Sequence, residues 1–259
     1  LASYLVDMRK HGANRDKVPI TKRDVTLTGW AFVARVYAED PVRNFLPSIG
    51  RLSRYKGPVQ NANVRVDTGV YEGGEISMYY DPMIAKLVTY GDDRAEALSH
   101  MQAALDAYYI RGVSHNIGFL AALVAHPKFA AGDMTTNFIA DEYPDGFHPQ
   151  DLPSEDSTIQ IAVAASVHRA YQQRAAEISG QTPDHERQVS DDWVVVLKDG
   201  EHPVTVRVAA DGFFVIIEVA TNELQTDWKL GETLMRGNLD GRNICLQVER
   251  QNISYRLTH

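Results

Sequence analysis

Two hydrophobic rhythms run along this chain, and they trade places near its middle. GWAFVARVYAED, residues 29–40, alternates apolar and polar positions, so Trp30, Phe32, Ala34 and Val36 share one face of an extended strand. RLSRYKGP, NVRVDTG and MIAKLVTY read as further strands, and Gly73-Gly74 in VYEGGEI supplies the positive φ of a tight connection. The period then lengthens. In GDDRAEALSHMQAALDAYYIRG, Leu98, Met101, Leu105 and Tyr108 fall on one helical face, Asp92 or Asp93 caps the start, and Gly112 offers a stop. NIGFLAALVAH predicts a second helix that ends by Pro127, and TTNFIADEY a short third one after the cap-like Thr136.

The pattern breaks at PDGFHPQDLPSEDS, where three prolines, four acids and little apolar content mark a linker over residues 144–157. Beyond it, STIQIAVAASVHRAYQQRAAEISG has a helical pattern closed by a glycine. Its first half is apolar nearly all round, through Ile159, Ile161, Val163 and Val167, as in a helix buried on more than one side. After QTPDHERQVSDD the chain alternates almost without interruption, with Asp-Gly pairs at 199–200, 211–212 and 240–241 that predict type I′ hairpins. Seven or eight short antiparallel strands at this spacing predict a meander curled into a barrel, with the helix packed by it or threaded through it. The fold class expected is therefore α+β. An antiparallel sheet with helices occupies residues 1–143, the linker follows at 144–157, and a long helix with an antiparallel β-barrel fills 158–259.

Length and composition narrow this picture without naming a reaction. A chain of 259 residues, 44% hydrophobic and 23% charged, has room for two ordinary cores. No apolar run approaches the roughly 20 residues of a membrane span, which argues against a membrane partner. The opening LASYLVDMRKHG looks helical, lacks the order of a signal peptide and begins without methionine, so a piece of something longer is expected. A net charge of −8 argues against a nucleic-acid partner and against reading the barrel as an oligonucleotide-binding one. The single Cys245 excludes an internal disulfide and fits a reducing compartment; its place in the alternating NICLQVE reads as a buried, inert thiol.

Chemistry-bearing motifs are scarce. No GxGxxG follows a strand, and no GxxxxGK[ST], HExxH, paired CxxC or GxSxG is present. The nine histidines are scattered, and no metal site is expected. One stretch raises a sharper question. In NVRVDTG, Val64 and Val66 point one way and Arg65 and Asp67 the other. Strand geometry alone favours a solvated charged face and leaves a chemical role for the guanidinium open.

Three stretches carry a resemblance: ARVYAEDPVRNFLPSIGRL (34–52), VRVDTGVYEGGEISMYYDPMIAKLVTYGDDRAEAL (64–98) and RGVSHNIGFLAALVAHPKF (111–129). In that order they resemble the C-terminal subdomain of the biotin carboxylase component of biotin-dependent carboxylases, over roughly residues 20–143. The second half, ending TDWKLGETLMRGNLDGRNICLQVERQNISYRLTH, looks like the linking domain of propionyl-CoA carboxylase α subunits, where a helix and barrel dock the carboxyltransferase β subunit.

The resemblance implies an enzyme that carboxylates biotin with ATP and bicarbonate, then passes the carboxyl group to propionyl-CoA on the β subunit. Acetyl-CoA or methylcrotonyl-CoA carboxylases are the alternatives within the family, and an assembly scaffold is the alternative outside catalysis. The cofactors implied are biotin, borne by a carrier domain, and ATP with Mg, bound by an upstream lobe; neither lobe nor carrier motif has a counterpart in this sequence, and Lys86 in MIAKL is not the biotinylated lysine. The partners implied are the β subunit and the biotin carboxyl carrier domain in a hetero-oligomer, in the bacterial cytoplasm or the mitochondrial matrix. By the same resemblance Arg65 faces the ureido oxygen of biotin as the catalytic cation, Asp67 orients it, and Tyr80 borders the biotin pocket. The alternative for Tyr79-Tyr80-Asp81, and the one the residues themselves favour, is a turn held by a Tyr–Asp hydrogen bond, while Trp193 and Trp228 read as core or interface anchors.

Overall fold

The computed structural model describes residues 28–148, 151, 156–181, 185 and 187–258. The helical reading of the first residues and much of the proposed linker lie outside them.

The first half is built on strands β1 (Trp30–Tyr37), β2 (Glu39–Asp40), β3 (Leu46–Pro47), β4 (Gly50–Arg51), β5 (Arg54–Lys56), β6 (Val64–Thr68), β7 (Glu75–Ile76) and β8 (Met83–Gly91). Helix α1 (Arg94–Asp106) follows, then β9 (Tyr109–Arg111) and the helices α2 (Ile117–Ala125), α3 (Pro127–Ala131) and α4 (Phe138–Glu142). Its main sheet has the order β1-β8-β6, all antiparallel, with Leu87 of the central strand opposite both Ala34 and Val66. The inner face buries Ala34, Val36, Val64 and Leu87 against Met101 and Leu105 of α1. Asp93 caps α1 by accepting from the Glu96 backbone N–H at 2.8 Å, as its spacing predicts. Thr89 ties sheet to helix through a buried 2.9 Å bond to the Ala97 carbonyl.

Helix α1 stops six residues before Gly112, short of the predicted end. The segment Tyr109–Arg111 instead pairs antiparallel with Arg54–Lys56. Tyr108 is fully buried, as the helical face predicts, but from the connection after the helix. A non-local strand partner has overridden a helix-compatible sequence, since aromatic and β-branched residues such as Tyr109 and Ile110 suit a strand.

The second half opens with α5 (Ser157–Ala176), whose N-cap Asp156 accepts from Thr158. Seven strands follow: β10 (Asp192–Leu197), β11 (Gly200–Ala209), β12 (Gly212–Ile217), β13 (Ala220–Thr226), β14 (Leu234–Leu239), β15 (Arg242–Gln251) and β16 (Ser254–Thr258). They pair antiparallel in chain order and curl around α5 as a half-barrel. Ile161, Val163 and Val167 of the helix share a core with Val206, Val215 and Leu246 of the strands, separate from the core of the first half. β10 and β16 end the sheet and are not paired with each other.

Only one of the three Asp-Gly pairs forms the predicted turn. Asp240 and Gly241 both have positive φ, at 50° and 87°, between the paired residues Leu239 and Arg242. At the other two the loop is shifted by one residue, to Lys198-Asp199 and Ala210-Asp211, and the glycine begins the next strand. Gly212 has φ of 155°, and a Cβ there would meet the Leu224 carbonyl oxygen at 1.9 Å, so close approach of the backbones rather than the turn demands this glycine.

The two halves touch where β15 passes the end of α1 and β9, through side chains on the outer face of the half-barrel.

Candidate functional site

On β6 the two valines face the core, Val64 buried and Val66 half-buried, while Arg65 and Asp67 project from the opposite, open face. The arginine donates from Nε to Asp67 Oδ1 at 3.0 Å and from Nη2 to Oδ2 at 2.7 Å, a fork-to-fork pair along one strand. This pairing holds the Asp67 carboxyl below the usual carboxylate range, its largest cause being the hydrogen bond from Arg65. The register sets Lys86 of β8 opposite Asp67, and Arg35 of β1 opposite Lys86. The open face therefore carries a cross-strand row Arg35, Lys86, Asp67, with Arg65 beside it, all exposed.

Short polar contacts fix the strand that carries this pair. β6 lies at the edge of its sheet, and Gln60 accepts from the free Val66 N–H at 2.9 Å, while Asn61 accepts from Val64 N–H at 2.9 Å. At its other end Thr68 Oγ1 donates to the Ile84 carbonyl at 2.8 Å and accepts from the Tyr55 hydroxyl at 3.1 Å. Tyr55 in turn lies 2.7 Å from the Tyr108 hydroxyl. Because Tyr55 already donates to Thr68, Tyr108 must be the donor in that contact. Burial and this hydrogen bond push the Tyr108 phenol far up from its ordinary pKa.

Tyr80 sits apart from the pair. It lies in the turn before β8, 82% exposed, and makes no hydrogen bond or ring contact with Arg65 or Asp67 among the described residues. A Tyr–Asp bond does not hold that turn. Asp81 accepts instead from the Met83 backbone N–H at 3.0 Å, and Ser77 Oγ from the Tyr79 N–H at 3.1 Å. Glu39 is near enough to Asp81 for that charge to add to burial in pushing its carboxyl up.

Sequence reasoning passed over Asn116, which is 6% exposed and stitches β1 from the side. Its Oδ1 accepts from the Tyr37 N–H at 2.9 Å and its Nδ2 donates to the Arg35 carbonyl at 3.1 Å. The position before an apolar helix, in HNIGF, signals a cap; nothing local signals a strand partner 81 residues back.

A second surface lies on the half-barrel. Between β10, β16 and α5 runs a groove of about 1330 Å³ lined by Ala164, His168, Trp193, Val195, Tyr255 and Leu257. His168 Nδ1 lies 3.1 Å from the Tyr255 hydroxyl, and the Trp193 ring packs edge-on against the imidazole. Burial, then the Arg250 charge, lowers the His168 pKa. Val194 and Val196 of the end strand β10, whose outer edge is open, stand 56% and 69% exposed. Trp193 packs against the core with its Nε1 buried and unpartnered, while Trp228 donates from its Nε1 to the Glu232 carbonyl at 2.9 Å.

Comparison with known proteins places both halves. Residues 33–141 match the family model of the biotin carboxylase C-terminal domain, and residues 161–259 that of the propionyl-coenzyme A carboxylase BT domain. The propionyl-CoA carboxylase alpha chain of Ruegeria pomeroyi is 44% identical over 273 residues, covering 98% of this chain and 40% of that one. The mitochondrial alpha chain of Mus musculus is 42% identical over 230 residues, covering 87% and 32%. The crystal structure of the biotin carboxylase subunit of pyruvate carboxylase is 36% identical over 53% of this chain and 29% of that one, with a TM-score of 0.48. The chain thus spans about two fifths of the Ruegeria relative. With a biotin carboxylase C-terminal domain followed by a propionyl-CoA carboxylase BT domain, the chain belongs to the family of propionyl-CoA carboxylase alpha chains.

Proposed function

We propose that this chain is the part of a biotin-dependent propionyl-CoA carboxylase that forms one wall of the biotin site and docks the carboxyltransferase β subunit. The observation that carries the first role is the Arg65–Asp67 pair on the open face of β6. Two of the five guanidinium N–H groups are committed to Asp67, which fixes the plane of the fork, and three are left for a ligand. That arrangement fits a planar urea oxygen. Bound biotin supplies the ureido group that takes up the carboxyl from bicarbonate activated by ATP and Mg.

Arg65 would stabilise the negative charge that develops on the ureido oxygen as the neighbouring nitrogen loses its proton. A donor fork fixed before the reaction needs no reorganisation at that moment. Lysine would set a compact point charge where a planar fork is wanted. Asp67 is a positioning residue, and Lys86 opposite it adds positive potential to the same face. Tyr80, exposed in the turn beyond Thr68, would flank the site as a wall rather than touch the reacting atoms.

The half-barrel supports the second role. Its two end strands keep unpaired edges, and Val194 and Val196 lie exposed on one of them. Natural sheets usually cover or charge such an edge, so a protein partner is the fitting complement. Propionyl-CoA is preferred over methylcrotonyl-CoA or acetyl-CoA because the matching domain model and the alpha-chain relatives are those of propionyl-CoA carboxylases.

Arg65→Lys in the complete α chain tests the biotin site. Biotin carboxylation should slow by about 10²–10³-fold, the range for removing one preorganised charge-stabilising donor, while ATP binding is unchanged. Loss of both together, or of neither, would return Arg65 to a structural role.

A further inference from the structure

The outer face of β15 carries Gln247 and Glu249, which alternate with the core residues Leu246 and Val248. Sequence pattern assigns such residues to solvent, yet Gln247 is 5% exposed. Its amide nitrogen donates to the Tyr108 carbonyl at 3.2 Å and to the Asp106 carbonyl at 3.4 Å, and its amide oxygen accepts from Arg111 Nη2 at 3.0 Å. The last carbonyls of a helix have no intrahelical partner. One of those left by α1 is therefore met by a side chain 141 residues later in the other half of the molecule. Glu249 completes the contact by accepting from the Tyr109 hydroxyl at 2.7 Å and from Arg111 Nε. Arg111 lies over the Tyr109 ring, 4.5 Å from its centroid.

We infer that Gln247 and Glu249 form a fixed joint that holds the docking half-barrel at one orientation to the strand bearing Arg65. Opening the joint would break all of these hydrogen bonds and the Arg111–Glu249 ion pair at once, so the halves do not swing freely on the segment between them. From the joint to β6 the path is short. Gln247 bonds the Tyr108 backbone, the Tyr108 hydroxyl bonds Tyr55, and Tyr55 bonds Thr68, three residues from Arg65. Resting on the proposed function, the joint then sets the distance a biotin carrier must travel between the biotin site and the docked carboxyltransferase. Gln247 and Glu249 are positioning residues for transfer between sites and take no part in carboxylating biotin.

The test uses the complete α chain assembled with its carboxyltransferase partner and the variants Gln247→Ala and Glu249→Ala. ATP cleavage supported by free biotin should stay within about twofold of the parent, while overall carboxylation through the tethered biotin falls about tenfold in kcat with KM for the acyl-CoA unchanged. Glu249→Gln, which keeps an acceptor for Tyr109 and Arg111 without the charge, should recover part of that loss. In the chain of 259 residues itself, small-angle scattering of the alanine variants should show a larger radius of gyration than the parent. Overall carboxylation unchanged, both rates falling together, no recovery in Glu249→Gln, or unaltered scattering would each overturn the joint. Failure of the underlying reading looks different: the parent enzyme would show no biotin-dependent ATP cleavage at all.

Discussion

Two arginine–carboxylate pairs in this molecule share a chemistry and differ in everything else. Arg65 and Asp67 stand two residues apart on one strand, with side chains 63% and 47% exposed. Arg111 and Glu249 stand 138 residues apart, on different halves of the chain, with side chains 23% and 18% exposed. In water the first pair adds little to stability, and three of the five guanidinium N–H groups of Arg65 stay open to a ligand. Out of water the second pair is costly to separate, because either partner left alone is a desolvated charge. Burial, more than the contact itself, decides which arginine is open to a ligand and which is tied into the structure.

Breaking the buried pair should give the largest effect. Arg111→Ala removes the donor to Glu249 and Gln247 at once, and should lower unfolding stability by about 3 kcal/mol in guanidinium titration. A loss below about 1 kcal/mol would put this pair in the same class as the exposed one.

Acid sharpens the same contrast through His115, whose pKa is lowered to about 4 by burial first and by the Arg111 charge second. Its Nδ1 is buried without a partner. The unfolded chain takes up this proton near pH 6.5 and the folded one only near 4, so stability falls as pH drops through that window. The loss should approach about 2 kcal/mol, allowing for a ring that is only half-buried. In Arg111→Ala the acid limb should still begin near pH 6.5 but level off at higher pH and be smaller in total, since without that charge the folded-state pKa moves back towards its ordinary value. An identical limb in both proteins would leave burial as its only cause.

The smallest effect belongs to the exposed pair. Asp67→Asn should leave the melting temperature of the chain unchanged, by calorimetry at neutral pH. A clear drop would mean that Arg65 is held for stability and is not free for a ligand.

Much of the fold was legible because it rests on local pattern. The face shared by Ala34 and Val36, the Asp93 cap and the apolar first half of α5 all follow from spacing, and each is where the pattern puts it. What was not legible depends on partners far along the chain. Helix α1 loses its predicted last turns because β5 recruits Tyr109–Arg111 into a strand. Two Asp-Gly pairs slip out of their turns because pairing with neighbouring strands fixes the register. In NICLQVE the alternation sets Cys245, Gln247 and Glu249 on one face, but no local signal says that this face meets α1 rather than water. Cys245 is half-buried there and its thiol is pushed up by burial, in keeping with an inert sulfur. At the site, period two placed Arg65 and Asp67 together; it could not place Tyr80, which sits in a turn where no periodicity operates.

The unpaired ends of the half-barrel also bear on how such a protein is made. A strand edge with free backbone groups and two bare valines recruits strands from a sister molecule as readily as from any other chain. A newly made chain therefore passes through an interval when it is folded and adhesive, and its own concentration sets how many sister molecules it meets in that interval. Slow synthesis at low concentration, or an early cover for that edge, is the condition under which this sequence stays out of inclusion bodies.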